Sequence, residues 1–186
     1  SETSAYAAPV QDSVNIVDVA LQQVRNLSLD LRPSLLDDLG LVAALRWYVD
    51  RFTQRTGVTA ELLVDSYTAQ VSTTVETACF RIVQEALTNV MRYAQAQQVS
   101  VKLRQQDDAL HLLICDNGIG FDVQAARQKA AQGGSLGLLG MEERALLVGG
   151  QLTIKSILLH GTAIEVHLPI AAYASKPFHD SEIAVQ

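Results

Sequence analysis

The chain is short of basic residues, cysteine and long apolar runs, and each shortage removes a class of function. Lys and Arg number 14 against 20 Asp and Glu, for a formal charge of −6 and a sequence pI near 5.1. Nucleic-acid binders present a basic face, so no nucleic-acid partner is expected. The two cysteines, Cys79 and Cys115, each sit in an apolar segment. They read as reduced, buried thiols rather than a disulfide or a metal pair. No stretch approaches the roughly 20 apolar residues of a membrane span, and no charged-then-apolar N-terminal segment resembles a signal peptide. A cytoplasmic protein is expected, with any membrane segment outside this chain. Internal repeats are also missing, as is a Gly-rich turn between strand and helix near the start, which argues against a doubly wound dinucleotide fold.

What remains is 186 residues of 48% apolar content, enough for one core plus an appendage. Val10, Val14, Val17, Leu21, Val24 and Leu31 recur at alternating spacings of four and three, with Ser28 filling the one gap, the narrow seam of a bundle helix. Pro33 ends it. A second helix is expected over about Leu39–Thr56, closed by Gly57, then a short strand over Val58–Val64. The clearest helix is Ser72–Ala94, with Val75, Ala78, Cys79, Ile82, Ala86, Val90 and Ala94 on its apolar face. Val99–Leu103 and Leu110–Cys115 alternate as strands around a turn at Gln105–Ala109. Residues 117–140 read as a long functional loop, followed by a helix at Met141–Val148 and a hairpin of Gln151–Ile157 with Thr162–Pro169. Strands joined by short turns predict an α+β two-layer sandwich, a mixed or antiparallel sheet with helices on one face. The expected division is a partial bundle helix over 1–33, a folded domain over 34–172 and a tail over 173–186.

Three places carry candidate chemistry. Arg81, Glu85, Asn89 and Arg92, spaced four, four and three, share the helix face opposite the apolar stripe. A solvated polar face explains charges there, but Asn89 is a poor helix former in mid-helix. Its amide oxygen suits Mg²⁺. Glu85 could move a proton or orient a metal-bound water, and Arg92 could meet a phosphate. Second, Asp116-Asn117-Gly118-Ile119-Gly120 ends an apolar strand. A hairpin turn is the ordinary reading, yet no partner strand follows at once. A carboxylate there can accept from an exocyclic amine, and the glycines allow a ligand close approach. Third, Gly133-Gly134-Ser135-Leu136-Gly137-Leu138-Leu139-Gly140-Met141 runs into a helix, where free N–H groups suit an anion. Gly161-Thr162 at the last hairpin is a weaker fourth element.

In this order, these elements resemble the ATP-binding domain of the GHKL superfamily of gyrase, heat-shock chaperone, histidine kinase and mismatch-repair ATPases. Arg81–Val90 resembles the asparagine box, Asp116–Gly120 the first glycine box, Gly137–Met141 the second, and Gly161-Thr162 the terminal glycine-threonine motif. Leu29–Leu41 resembles the junction after the dimerisation hairpin of sensor histidine kinases of the nitrate-sensor and DesK type. The resemblance implies a Bergerat-type ATP-binding fold preceded by a bundle helix, with ATP and Mg²⁺ as cofactors. It implies that Asn89 holds Mg²⁺, that Glu85 is catalytic or orients the metal through water, and that Asp116 accepts from adenine. Arg92, Tyr93, Gly118, Gly120, Gly137, Leu138, Gly140, Met141 and Thr162 complete the implied ATP site, with 121–139 as its lid. The implied reaction moves the ATP γ-phosphoryl group to a histidine and then to the receiver domain of a response regulator, within a homodimer.

The sequence departs from the pattern at Tyr93, where histidine is usual, and at Leu159, where a glycine is usual. His111, His160, His167 and His179 lie in or beside expected strands or in the tail, not on a helix beside an acid. The acceptor histidine is therefore expected upstream of this chain, which alone should bind ATP without autophosphorylating. The alternatives are a degenerate nucleotide-binding or dimerisation module, and an ATPase of the same superfamily that works by conformational change.

Overall fold

The computed structural model describes residues 34–67, 71–131 and 137–170; the seam over 10–32 and the tail lie outside the described residues. Helix α1, Ser34–Thr56, is broken at Gly40, whose φ of 75° and ψ of 171° are not helical. Residues up to Gly40 and residues from Leu41 onward fall into separate compact units, and the second carries the fold. As expected, Gly57 ends the helix. Its left-handed φ of 75° lets its N–H donate to the Thr53 carbonyl at 2.9 Å.

Strand β1, Thr59–Asp65, leads through α2, Thr73–Asn89, to β2, Gln98–Gln106, which pairs with β1 in parallel. Parallel neighbours need such a crossover. β3, Ala109–Asp116, follows antiparallel after a two-residue turn, Asp107-Asp108, both at positive φ. The turn is tighter than the expected Gln105–Ala109, because two aspartates that tolerate the left-handed region suffice for a two-residue hairpin. β4, Gln151–Ile157, and β5, Gly161–Pro169, form the last hairpin, and the sheet order is β1-β2-β3-β5-β4. Val99, Val101, Leu103, Leu110, Leu112, Ile114, Ile164, Val166 and Leu168 are buried beneath the helices. Lys102, Arg104, Glu165 and His167 alternate onto the open face, so the helices cover one side of a mixed sheet, as the short turns implied.

α2 starts at Ser72, whose Oγ accepts from Val75 N–H at 3.4 Å. It buries more than the expected stripe, since Phe80, Val83 and Leu87 are also in the core. Phe80 meets Tyr48 of α1 edge to face with ring centroids 5.6 Å apart. The helix ends in a π turn, Val90–Ala94. The Ala94 carbonyl accepts from Ile119 N–H at 2.8 Å, so the widened turn is fastened to the loop after β3.

The stretch 117–140 differs from the expected loop. It contains helix α3, Val123–Ala131, capped by Asp122, whose Oδ1 accepts from Gln124 and Ala125 N–H at 2.9 and 3.0 Å. Helix α4 begins at Gly137, four residues before the expected Met141, and runs to Leu147. Glycine weakens a helix but does not forbid it, and α4 packs on α2 and β4. No helix among the described residues is long and apolar enough to cross a membrane.

Candidate nucleotide-binding site

A cavity of about 460 Å³ opens between α2, its π turn, α3, α4 and the ends of β3, β4 and β5. Its apolar walls come from Ala86, Val90, Ile114, Phe121, Leu138, Ile154 and Ile164, and its polar groups from Asn89, Tyr93, Asp116, Lys129 and Thr162. A mostly apolar cavity with a few fixed polar groups is how proteins hold small-molecule ligands.

Asp116 is the last residue of β3 and the register partner of Thr162 on β5. Burial pushes its carboxyl above the ordinary carboxylate range, while the backbone N–H groups of Gly118 and Thr162 pull it part of the way back. Its Oδ1 accepts from Gly118 N–H at 2.8 Å. Asn117 instead holds the loop. Its Oδ1 accepts from the N–H groups of Gln97 and Gln98 at 3.0 and 2.9 Å.

Of the residues expected at the site, Asn89, Tyr93, Asp116, Gly120, Leu138 and Thr162 line the cavity together. Arg92 does not; it is exposed on the π turn. A π turn takes more residues per revolution than an α turn. Tyr93, four residues on from Asn89, therefore comes round to the Asn89 side, and Arg92 swings off it. Gly118 is buried outside the wall. A Cβ there would run into the Ala94 carbonyl oxygen and Cβ, so its smallness serves packing on the π turn. A Cβ on Gly120 would strike the Ile157 carbonyl. Met141 is fully buried in the core rather than facing the cavity. Gly137 and Gly140 lie in the first turn of α4, outside the wall. Glu85 also stands outside it, yet its Oε1 lies where a Cβ on Gly137 would be, with Asn89 Nδ2 3.6 Å from that point. Glu85 and Asn89 thus converge on the first residue of α4.

Phe121, Ala126 and Lys129 are wall residues that the sequence reading did not single out within the stretch 121–139. Only the helix α3 turns Ala126 and Lys129 to one side, three residues apart, and that helix has no strong apolar period. His111 and His167 lie on β3 and β5, and His160 in the turn between β4 and β5; His179 is outside the described residues. Among the described residues no group of three or more His, Cys, Asp or Glu side chains could hold a metal by itself.

Residues 74–172 match the family described as histidine kinase-, DNA gyrase B- and HSP90-like ATPase. The chain is 39% identical over 155 residues to the oxygen sensor histidine kinase NreB of Staphylococcus carnosus (strain TM300), covering 83% of this chain and 44% of that protein. It is 38% identical over 161 residues to the signal transduction histidine-protein kinase/phosphatase DegS of Brevibacillus brevis, covering 87% of this chain and 40% of that protein. The chain therefore spans less than half the length of these two relatives. Among solved structures, Acinetobacter baumannii histidine kinase AdeS shares the fold with a TM-score of 0.56 at 16% identity, over 83% of this chain and 84% of that one. Asparagine, aspartate and threonine facing one cavity belong to a domain whose sequence matches over more than half the chain: this protein is a member of the histidine kinase-, DNA gyrase B- and HSP90-like ATPase family.

Proposed function

We propose that the cavity binds ATP with its adenine against Asp116, and that the chain is the nucleotide-binding catalytic part of a sensor histidine kinase. The observation that carries the reading is the Asp116 carboxylate, fixed at a strand end and turned to an apolar cavity that also holds Asn89 and Thr162. An acceptor in an apolar slot favours a planar ring with an exocyclic amine. The family match and the kinases of S. carnosus and B. brevis favour the same nucleotide.

Mg²⁺ fits the donors present. It takes oxygen ligands, commonly one or two from protein and the rest from phosphate and water. The Asn89 amide and the Glu85 carboxylate meet at the start of α4, where helix N–H groups favour phosphate. When bound, the ion would neutralise charge on the phosphates. Asn89 would hold it directly and Glu85 through water, with Glu85 also placed to take a proton. Tyr93, Gly120, Leu138 and Lys129 wall the nucleotide, while Gly137 and Gly140 keep the α4 end close to it. In the whole protein the γ-phosphoryl group would pass to a histidine and then to a response regulator, within a homodimer. Phosphoryl transfer asks the protein chiefly for positioning and charge neutralisation, and these groups supply both.

The test is calorimetric titration of the chain with a non-hydrolysable ATP analogue, with and without Mg²⁺, and with GTP as control. Saturable binding that prefers adenine and strengthens with Mg²⁺ is expected. A folded sample that binds neither nucleotide would leave the cavity without this role.

A further inference from the structure

Ser156 stands outside the cavity wall, and the motifs of the sequence do not include it. It lies near the end of β4, opposite Thr162 in the β4–β5 register. Three groups converge on its hydroxyl. Phe121 N–H donates to Ser156 Oγ at 2.9 Å, Ser156 Oγ reaches the Gly161 carbonyl at 3.2 Å, and the Thr162 hydroxyl lies 2.9 Å away. A second strap runs beside it, with Leu159 N–H donating to the Ile119 carbonyl at 2.7 Å. The β4–β5 hairpin is thus tied to the loop that follows Asp116, and Ser156 joins that loop to a hydroxyl in the wall.

A serine hydroxyl has one hydrogen and two lone pairs. The Phe121 N–H uses one lone pair. Either hydroxyl of the 2.9 Å pair can donate; we assign the serine hydrogen to the Gly161 carbonyl, which can only accept, and the pair is then closed by Thr162 donating to the other lone pair. Thr162 then has no hydrogen for the cavity and presents lone pairs there. Asp116, its cross-strand partner, presents lone pairs as well. Resting on the nucleotide reading above, we propose that Ser156 is a positioning residue for base recognition. By consuming the Thr162 hydrogen, it makes the wall beside Asp116 acceptor-only, which admits the 6-amino group of adenine and repels the 6-oxo group of guanine.

The test is a double-mutant cycle on the full chain, with ADP and GDP as probes in calorimetry and the melting temperature followed in parallel. Ser156→Ala frees the Thr162 hydroxyl to rotate and donate. ADP affinity should fall on the order of tenfold, and the preference for ADP over GDP should shrink. Ser156→Thr, which restores a hydroxyl, should recover both. In a Thr162→Val background Ser156→Ala should change neither affinity, because the group it acts through is gone. A purely structural serine would lower the melting temperature in both backgrounds and leave the ADP-to-GDP ratio untouched, and that result overturns the proposal. So does an additive loss in the double mutant. If Ser156→Ala fails to fold, Ser156→Cys repeats the cycle with a weakly hydrogen-bonding group of similar size. Wild-type chain that binds neither nucleotide defeats the nucleotide reading itself. Wild-type binding with an unchanged ratio in the variants defeats only the role of Ser156.

Discussion

Asp116→Asn separates recognition from folding. Asparagine has nearly the same shape, and its carbonyl can keep the 2.8 Å bond from Gly118 N–H that Oδ1 now accepts. Its amide nitrogen must then turn to the cavity, where a donor replaces an acceptor. The ligand amine loses a charge-assisted hydrogen bond, worth roughly 1.5–3 kcal/mol, and meets another donor instead. The dissociation constant of an adenine nucleotide should therefore rise by about 10–150-fold, toward the upper part of that range. Fold stability should move the other way. Burial disfavours the ionised carboxylate, so removing that charge at neutral pH should leave the melting temperature unchanged or slightly higher. Calorimetry on the folded variant reads the first quantity and thermal denaturation the second. Unchanged affinity would reduce Asp116 to a turn residue. A large drop in melting temperature would mean that the charge holds the loop.

The pH dependence follows from the same carboxyl. Its folded-state pKa is raised, so its contribution to stability is full below the ordinary carboxylate range and is lost as pH rises through the raised value. Adenosine, which carries no titrating phosphate, should bind less well as pH falls through that value; a flat affinity profile would contradict the role of Asp116. Asn89→Ala should weaken binding in Mg²⁺ far more than in its absence, read by paired titrations, and equal losses would remove the metal role. Gly161→Ala should destabilise the fold, because φ is +84° and the new Cβ would strike the Asp116 backbone carbonyl. About 2 kcal/mol or more is expected, a fall in melting temperature on the order of 5 °C.

Much of this was legible in the sequence because the apolar period was strong. The α2 stripe from Val75 to Val90 and the alternation of Val99, Val101 and Leu103 name the buried faces correctly. Asp116 and Thr162 were placed by strand ends, where apolar patterns stop. The parts that escaped depend on partners far away in sequence. The π turn at Val90–Ala94 leaves no period of its own and is secured through Ala94 by Ile119. Helix α3 docks through a small side chain, Ala130, which is buried, so its sequence carried little amphipathic signal. Gly137 was placed before the helix because glycine is a weak helix former; it stands in α4 with Glu85 in the space a side chain would take. Ser156 escaped because one hydroxyl on a strand announces nothing until Phe121 and Thr162 are brought to it.

The π turn also bears on how relatives are compared. Because it holds more chain per revolution than an α turn, the number of residues between Asn89 and the polar wall residue Tyr93 is set by helix geometry and not by a fixed count. A relative whose corresponding segment is one residue shorter and plainly α-helical can deliver its equivalent of Tyr93 to the same wall. An alignment that matches positions by counting from the asparagine will pair the wrong side chains there. Equivalence past Val90 has to be traced along the face of the helix.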